Sequence, residues 1–376
     1  MPFQKINKFQ ISKANKTIWI FGAGASCSKP YTVPQQKDLL DTFHKMRLPK
    51  STSARNEFEE LRNRVGDECK KILPGSQIQD VTLEEIFSAF KIQENAGWTT
   101  SEEKEMARKS IYDLRKMLVV TTGVKGKGNA LKYKPHKRNN VISPYAELLE
   151  KLFPVNCQDD LLKTNVLATM NYDISLDRCL LNMRDDDCGN IDLDYGVEFA
   201  DYRLSGSFER PGERSVLLLR LHGGLNWKRC LACQALFTTV SSNANVLPRE
   251  KCRMCGSERL DHVIVPPSFT RQYNDPVLQI VWGRLLEELR SADRWIFIGY
   301  SLPNADVHLR TLLGHAFNMR LAAGEDISVY WVGFKKSDDD KNWIGLGERF
   351  YHLFGAKAFA WEKAEEGFSG FVRELK

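Results

Sequence analysis

The sequence has 376 residues and a formal net charge of +6, and 42% of its residues are hydrophobic, 27% charged and 10% aromatic. This composition is typical of a globular protein with a sizeable core, and it excludes disordered, fibrous and collagen-like chains. No apolar run approaches the roughly 18 residues that a membrane span requires, and the basic N-terminus lacks the apolar stretch of a secretory signal. We therefore expect a soluble, cytoplasmic protein with no membrane segment.

Five short apolar runs have the β-branched, continuously hydrophobic character of parallel strands that are covered on both faces. Long intervals separate them, as is usual when helices connect the strands of a parallel sheet. In chain order, the predicted strands are Thr17–Phe21, Val166–Met170, Val216–Leu221, Trp295–Ile298 and Ile327–Val332.

Segments with helical periodicity lie between or after these strands. In chain order, they are Asp38–Met46, Pro144–Phe153, Ile174–Leu181, Pro276–Leu289, Ala305–Met319 and Gly347–Phe354. Strands that alternate with helices predict an α/β fold, namely a Rossmann-like, doubly wound parallel sheet.

Two segments interrupt the alternation of strands and helices. Residues 47–143 contain helical patterns such as Thr82–Ile92 but no convincing strand, which predicts an inserted helical region. Residues 228–262 carry two cysteine pairs in a polar, basic context and predict a small inserted module. The core domain would then consist of residues 1–46 and 144–376.

Positive charge is concentrated in one part of the predicted helical insertion. Residues 104–138 hold eleven basic and two acidic residues, a net charge of +9, so the remainder of the chain is slightly acidic. A basic stretch of this kind can bind nucleic acid or an acidic partner, and it can equally form a solvated surface. The sequence leaves both interpretations open.

A glycine-rich turn follows the first predicted strand. It consists of Gly22, Ala23, Gly24, Ala25 and Ser26. Glycines at such a turn let the backbone approach a pyrophosphate, whose charge is stabilised by exposed N–H groups and a helix N-terminus. A complete dinucleotide-binding motif has a third glycine where Cys27 stands. The turn therefore indicates either a phosphate-binding loop or only a tight connection.

Four of the nine cysteines form two Cys-x2-Cys pairs that are separated by 18 residues. The pairs are Cys230 with Cys233 and Cys252 with Cys255. This spacing is typical of a zinc ribbon, in which four thiolates complete a tetrahedral site and give the ion a structural role. Iron and unpaired thiols are the alternatives. The other cysteines are expected to be reduced, because the chain is long and has no secretory signal.

Polar residues follow two of the predicted core strands. Asn171 and Asp173 come after Val166–Met170, and His222 follows Val216–Leu221. In an open α/β sheet, ligands bind beyond the carboxyl ends of the strands, so these residues are candidates for a site. Each also has a structural interpretation, because Asn and Asp cap helices and a buried His can bond to the backbone. Their joint placement beside the glycine turn favours function.

A second turn of small and polar residues follows the predicted strand Trp295–Ile298. It begins with Gly299, Tyr300 and Ser301 and lies at the carboxyl end of its strand. Alone it would be interpreted as a loop. Together with the glycine turn, it predicts the far side of a nucleotide pocket.

Taken in order, five motifs resemble those of the sirtuin superfamily. They are GAGAS from Gly22, TMNYD ending at Asp173, LHGG around His222, the paired cysteines, and GYSLP from Gly299. The resemblance covers roughly residues 17–335 and depends on the order and spacing of the motifs. It implies an NAD-using enzyme with a Rossmann-type fold and an inserted zinc ribbon.

The resemblance also implies a role for each candidate residue. Asn171 and Asp173 would bind the nicotinamide and its ribose, and His222 would act as the general base. The two turns would bind the phosphates and the adenosine ribose of NAD. The residues that it implies for these contacts are Gly22, Ala23, Gly24, Ala25, Ser26, Gly299, Tyr300 and Ser301.

The sequence departs from protein-deacylating sirtuins in two places. The stretch after the glycine turn reads CSKPYTVPQQKD and lacks the arginine of their GIPDFR-like motif. The stretch HVIVPPSFTRQY keeps only part of their peptide-binding motif. Three stretches, GYSLPNAD, LHGGLNW and TLEEIFSAF, look more like the divergent sirtuin-like proteins of bacterial antiviral defence, which consume NAD.

This resemblance predicts an NAD hydrolase that releases nicotinamide and ADP-ribose as the effector of an anti-phage system. Two alternatives stay open, an NAD-dependent protein deacylase and a module that senses NAD or ADP-ribose while it binds nucleic acid or a partner. Similar proteins work beside a HerA-type ATPase, an Argonaute or a large sensor domain. We therefore expect regulation by another chain, together with assembly into a homo-oligomer.

Overall fold

The computed structural model describes most of the chain. The described residues are 3–11, 15–27, 33, 38–46, 52–72, 81–122, 143–155, 157–185, 191–200, 211–238, 251–268, 275–304, 306–337, 340–363 and 366–375. Over these ranges, no helix is both long enough and apolar enough to cross a membrane.

The described residues form eleven strands, twelve α-helices and one short 3-10 helix, Gly355–Lys357. The strands are β1 (Gln4–Ile6), β2 (Thr17–Phe21), β3 (Asn165–Thr169), β4 (Asp192–Asp194), β5 (Ser215–Arg220), β6 (Gly223–Cys230), β7 (Leu236–Thr238), β8 (Leu260–Ile264), β9 (Arg294–Ile298), β10 (Ser328–Val332) and β11 (Ala358–Trp361). The helices are α1 (Ala23–Ser26), α2 (Leu39–Lys45), α3 (Thr52–Ile72), α4 (Leu83–Asn95), α5 (Ser101–Thr122), α6 (Pro144–Leu152), α7 (Asp159–Thr164), α8 (Ser175–Asp185), α9 (Pro276–Ser291), α10 (Val307–Ala322), α11 (Lys341–Phe354) and α12 (Gly367–Glu374).

The chain divides into two compact units. The first takes its described residues from Met1–Val33, Val124–His222 and Asn274–Lys376, and the second takes its own from Pro34–Gly123 and Gly223–Tyr273. The second unit thus contains described parts of both segments that interrupt the α/β alternation in the sequence.

The first unit is built on one eight-stranded sheet in the order β1-β11-β10-β9-β2-β3-β5-β4. Every neighbouring pair in this sheet is parallel. All residues of β2 and β3 are buried, which means that both faces are covered at the centre of the sheet. The prediction of a Rossmann-like, doubly wound parallel sheet is confirmed.

The five predicted strands are all present, and none of their ends is displaced by more than one residue. The predicted helices of this unit are present as well, although α11 begins six residues before the predicted start at Gly347. Its first turn is stabilised by the Asp340 carboxylate, which accepts hydrogen bonds from the backbone N–H groups of Asn342 and Trp343. The sequence analysis missed the short strands β1, β4 and β11.

The strand order places a topological switch point between β2 and β9. From β2 the chain continues to β3 and β5 on one side of the sheet, and it returns to β9, β10 and β11 on the other. The last residues of the central strands lie in one row, because Phe21 pairs with both Ile298 and Thr169, and Thr169 pairs with Arg220. The loops that follow these four residues therefore start at one edge of the sheet. A crevice at such a point is where open α/β sheets bind ligands.

The second unit combines helices α2 to α5 with a small antiparallel sheet of order β7-β6-β8. Helix α4 begins with a capping box, in which the side chains of Thr82 and Glu85 each accept from the backbone N–H of the other residue. In the described part of the basic segment, Arg108 forms ion pairs with two glutamates and Arg115 with Asp261. The remainder of that segment, 123–138, lies outside the described residues.

One buried hydrogen bond links the two central strands and allows a test of the packing. The indole Nε1 of Trp19 donates to Asn165 Oδ1 over 3.0 Å, and both residues are almost fully buried. We predict that Asn165→Leu lowers the free energy of unfolding by about 1–3 kcal/mol, because the indole N–H loses its acceptor. Urea denaturation of Asn165→Leu, Trp19→Phe and the double variant measures the coupling. Additive effects of the two substitutions would contradict a role for this bond.

Candidate functional site

The two turns at the switch point pack backbone against backbone. The N–H of Gly22 donates to the Ile298 carbonyl over 3.0 Å, and that of Gly24 donates to the Gly299 carbonyl over 2.9 Å. A Cβ atom on Gly22 would lie 2.6 Å from the Cα of Tyr300. Gly299 has a φ of +62°, and a Cβ atom there would lie 2.2 Å from the amide nitrogen of Ala25. Only glycine fits at these two contacts.

Several N–H groups of the glycine turn already have acceptors within the protein. Besides the amides of Gly22 and Gly24, the Ala25 amide donates to the Gly22 carbonyl over 3.0 Å. Ala23 is exposed and Gly24 is partly exposed, whereas Ala25 and Ser26 are buried. Contact between this turn and a ligand would therefore be made through Ala23 and Gly24.

Asn171 joins the loop after β3 to the glycine turn. Its Nδ2 lies 3.0 Å from the Gly22 carbonyl oxygen, 3.0 Å from Ser26 Oγ and 3.4 Å from Tyr145 Oη. The side chain is 8% exposed. Because Nδ2 donates to the protein, the amide oxygen Oδ1 is the group that Asn171 offers to a ligand.

Tyr145 is a member of this cluster that the sequence analysis missed. Its hydroxyl lies 3.0 Å from Ser26 Oγ, and its ring packs edge-on against Phe21 and Phe368. Burial raises the pKa of this phenol well above its usual value, and the negative charge of Asp173 raises it further. The hydroxyl therefore keeps its proton and can donate to Ser26 while it accepts from Asn171.

A fully buried arginine fixes the loop that carries Asn171 and Asp173. Arg220, at the end of β5, forms an ion pair with Asp177. Its Nη2 lies 3.0, 2.9 and 2.8 Å from the carbonyl oxygens of Asn171, Tyr172 and Asp173 in turn. Arg220 was predicted only as a residue of an apolar strand, although a charge inside such a strand is itself an unusual feature.

Asp173 has a structural role at the start of α8. Its Oδ1 accepts from the backbone N–H of Ser175 over 3.0 Å, and its side chain is 4% exposed. The contact joins residues two apart, as in an Asx-turn, so Asp173 orders the backbone just before the helix and is not the N-cap residue that the sequence left open as an alternative. Its position in the Arg220-bound loop also brings it close enough to Tyr145 to influence the phenol.

His222 is held at the mouth of the neighbouring strand. Its Nδ1 lies 3.1 Å from the Met170 carbonyl oxygen, and its ring stacks on Tyr172 with centroids 5.9 Å apart. A carbonyl can only accept, so the proton of the neutral ring is on Nδ1 and the lone pair is on Nε2. The orientation therefore leaves Nε2 as the basic nitrogen.

In the second turn, Gly299 and Tyr300 make structural contacts, whereas Ser301 is exposed. The Tyr300 side chain is buried, and its hydroxyl donates to Asp306 Oδ2 over 2.5 Å. Ser301 is exposed beyond the carboxyl end of β9. Of this turn, Gly299 supplies the close backbone contact, and Ser301 supplies the side chain that a ligand can reach.

The four paired cysteines meet in the second unit. Their sulfur atoms all lie within 4.8 Å of one another, and Cys230 and Cys233 are each 3.6 Å from one sulfur of the other pair. Four sulfurs about 2.3 Å from a tetrahedral zinc ion would be roughly 3.8 Å apart, so the donor set fits zinc. Burial opposes ionisation of Cys230, but backbone N–H groups of Cys233 and Ala232 lower its pKa to about 6. Four thiolates would fill the coordination sphere and give the ion a structural role.

Comparison with known proteins gave structural matches only. No family model and no curated protein matches the chain. A Sir2 homologue variant in complex with ADP-ribose is 16% identical and covers 96% of this chain and 92% of its own, with a TM-score of 0.43. A structure of Sir2 bound to acetylated peptide is 14% identical and covers 95% of this chain and 90% of its own, with a TM-score of 0.39. Similarity at this level does not identify a family, and the fold assignment rests on the sheet topology.

A pair of glycines tests the contact between the two turns. Gly299 and Gly324 both have positive φ angles, of +62° and +72°, but a Cβ atom on Gly324 would meet nothing within 4 Å. We predict that Gly324→Ala costs about 1–2 kcal/mol for its backbone conformation. Gly299→Ala should cost several kcal/mol more, because its methyl group would overlap the backbone of the glycine turn. Urea denaturation measures both, and equal losses would contradict the contact.

Metal content tests the cysteine cluster. We predict that the purified chain holds one zinc ion, and that Cys233→Ala loses most of it because three thiolates hold zinc less tightly than four. Cys157→Ala is the matched control, since Cys157 is buried in the first unit. Elemental analysis by mass spectrometry gives the zinc content per chain. Retention of zinc by Cys233→Ala would contradict the assignment.

Proposed function

We propose that the chain is an NAD hydrolase that cleaves NAD to nicotinamide and ADP-ribose. The observation that carries the proposal is the convergence of Asn171, His222 and the two packed turns at the switch point of the parallel sheet. The order of the sirtuin-like sequence motifs supports the choice of NAD as the dinucleotide. The turns would hold the phosphates, with Ala23 and Ser301 as the most accessible positions.

The proposed reaction breaks the bond between the nicotinamide nitrogen and C1′ of its ribose. The bonding electron pair leaves with the nitrogen, positive charge develops at C1′, and a water oxygen forms the new bond. His222 Nε2 would take the proton of that water, since Nδ1 is occupied by the Met170 carbonyl. The carbonyl oxygen of the Asn171 side chain would orient the water or a ribose hydroxyl.

Regulation and biological role form the remaining part of the proposal. An unregulated NAD hydrolase would deplete its own cell, so we expect a partner chain or an assembled state to control it. The sequence resemblance to antiviral defence proteins suggests an effector in an anti-phage system, with a HerA-type ATPase, an Argonaute or another sensor as partner. We also propose that the chain assembles into a homo-oligomer. Its basic segment, residues 104–138, would contact nucleic acid or an acidic partner.

Nicotinamide release is the direct test. The full chain is incubated with NAD, with and without the product of a neighbouring gene and nucleic acid, and nicotinamide is followed by chromatography. We predict that His222→Ala and Asn171→Ala each lower turnover at least about a hundredfold, as expected for loss of a general base or of substrate orientation.

Matched controls separate the chemistry from general damage. His352→Ala and Asn342→Ala change the same residue types at exposed positions of α11 and should keep full turnover. Thermal unfolding confirms that each variant is folded. Full activity in His222→Ala, or no release from the wild-type chain under any of the conditions, would overturn the proposal. Release of lysine acyl groups from a peptide would instead favour the deacylase.

A further inference from the structure

Side chains hydrogen-bond the backbone carbonyls that lie just beyond the ends of β3 and β5. The Met170 carbonyl is bonded by His222 Nδ1, and the next three carbonyls of that loop are bonded by Arg220. The Leu221 carbonyl, which directly precedes His222, accepts from the indole Nε1 of Trp282 over 3.0 Å. Trp282 lies on α9, so this donor comes from outside the two loops that carry the candidate site.

The Leu221 carbonyl is available to Trp282 because the parallel ladder stops at this point. The Leu221 amide still donates to the Thr169 carbonyl over 3.0 Å. In a regular ladder, the Leu221 carbonyl would then accept from the amide of Asn171. That amide instead donates to Thr169 Oγ1 over 3.1 Å. The peptide plane between Leu221 and His222, from which the histidine side chain departs, is therefore held by the indole of Trp282.

The Trp282 side chain is itself fixed in place. It is 4% exposed, and the ring of His308 packs on it at an interplanar angle of 87°, with centroids 4.5 Å apart. Burial of a tryptophan in this fold does not by itself provide an acceptor. Among the described residues, the Nε1 atoms of four other buried tryptophans of the first unit have no hydrogen-bond partner, namely Trp295, Trp331, Trp343 and Trp361. The bond of Trp282 is thus a specific feature of the site.

We propose that Trp282 is a positioning residue for His222. By holding the Leu221 carbonyl, it keeps the imidazole Nδ1 on the Met170 carbonyl and so keeps the lone pair on Nε2. Trp282 acts through the backbone and not by contact with the reacting atoms. The inference rests on the proposed function, because that function takes His222 as the general base.

The tautomer of His222 provides a test that needs no turnover. NMR of the full chain, labelled with ¹⁵N at histidine, distinguishes a ring nitrogen that carries a proton from one that carries a lone pair. The His222 signals are those that His222→Gln lacks. In the wild-type chain we expect the proton on Nδ1. Trp282→Phe removes the indole N–H, and a larger share of His222 should then carry its proton on Nε2.

A second replacement keeps the test valid if Trp282→Phe does not fold, as judged by thermal unfolding. Benzothiophene in place of the indole of Trp282 preserves the bicyclic ring and exchanges the N–H for sulfur. It should change the His222 tautomer in the same direction, since only the hydrogen bond to the Leu221 carbonyl is lost.

Turnover supplies the second measurement. In the nicotinamide assay, Trp282→Phe should lower kcat about tenfold and leave KM for NAD within about twofold, because a displaced base affects the transition state more than substrate binding. Trp361→Phe is the matched control, since Trp361 is 1% exposed and its N–H has no acceptor among the described residues. This control should match the wild-type chain in both measurements.

The outcomes separate the positioning role from the proposed reaction. An unchanged His222 tautomer in both Trp282 variants, an equal loss of kcat in Trp361→Phe, or a higher KM with unchanged kcat would overturn the role of Trp282. If the wild-type chain released no nicotinamide but the tautomer shifted as expected, the proposed reaction would fail and the positioning of His222 would stand.

Discussion

The buried ion pair between Arg220 and Asp177 is the interaction on which the candidate site depends. Moving two charges out of water is unfavourable unless their remaining donors and acceptors are satisfied. The guanidinium meets this requirement by donating to three consecutive carbonyls of the loop after β3, and Tyr195 donates to Asp177. The loop cannot shift without leaving a buried charge unsatisfied. Loops are ordinarily the most mobile parts of an α/β fold. Here the buried charge of Arg220 fixes the backbone of the loop after β3, which carries Asn171.

From this anchor, a series of short contacts extends across the sheet to β9. The Asn171 amide bonds to the Gly22 carbonyl, and Gly22 in turn packs directly against the backbone of Tyr300. Each contact is made by main-chain atoms or by one buried amide group, so little displacement is tolerated. An arrangement of this kind suits catalysis by orientation, because the groups that meet a ligand are already in place when it arrives.

The fold was largely predictable because its signals are local. A continuous apolar run such as Thr17–Phe21 identifies a buried strand without knowledge of its neighbours, whereas β1 is polar and partly exposed and is a strand only because β11 pairs with it. In the site, Asn171 and His222 could be predicted because each is a polar residue directly after an apolar strand. No comparable sequence signal identified Tyr145, because its partner Ser26 is 119 residues away and its helix has the pattern of ordinary core packing. Contacts of that range depend on the assembled sheet and not on neighbouring residues.

The pairing of β1 with β11 has a consequence for biosynthesis. Gln4 pairs with Phe359, so β1 leaves the ribosome long before its partner strand β11 has been made. At roughly 5–20 residues per second, that delay is on the order of 20–70 s. Loop closure over such a distance is entropically slow, so β1 adds to a sheet whose centre has already formed. We therefore expect the β1–β11 edge of the sheet to form last. Until β11 has been made, β1 is polar enough to remain exposed to water.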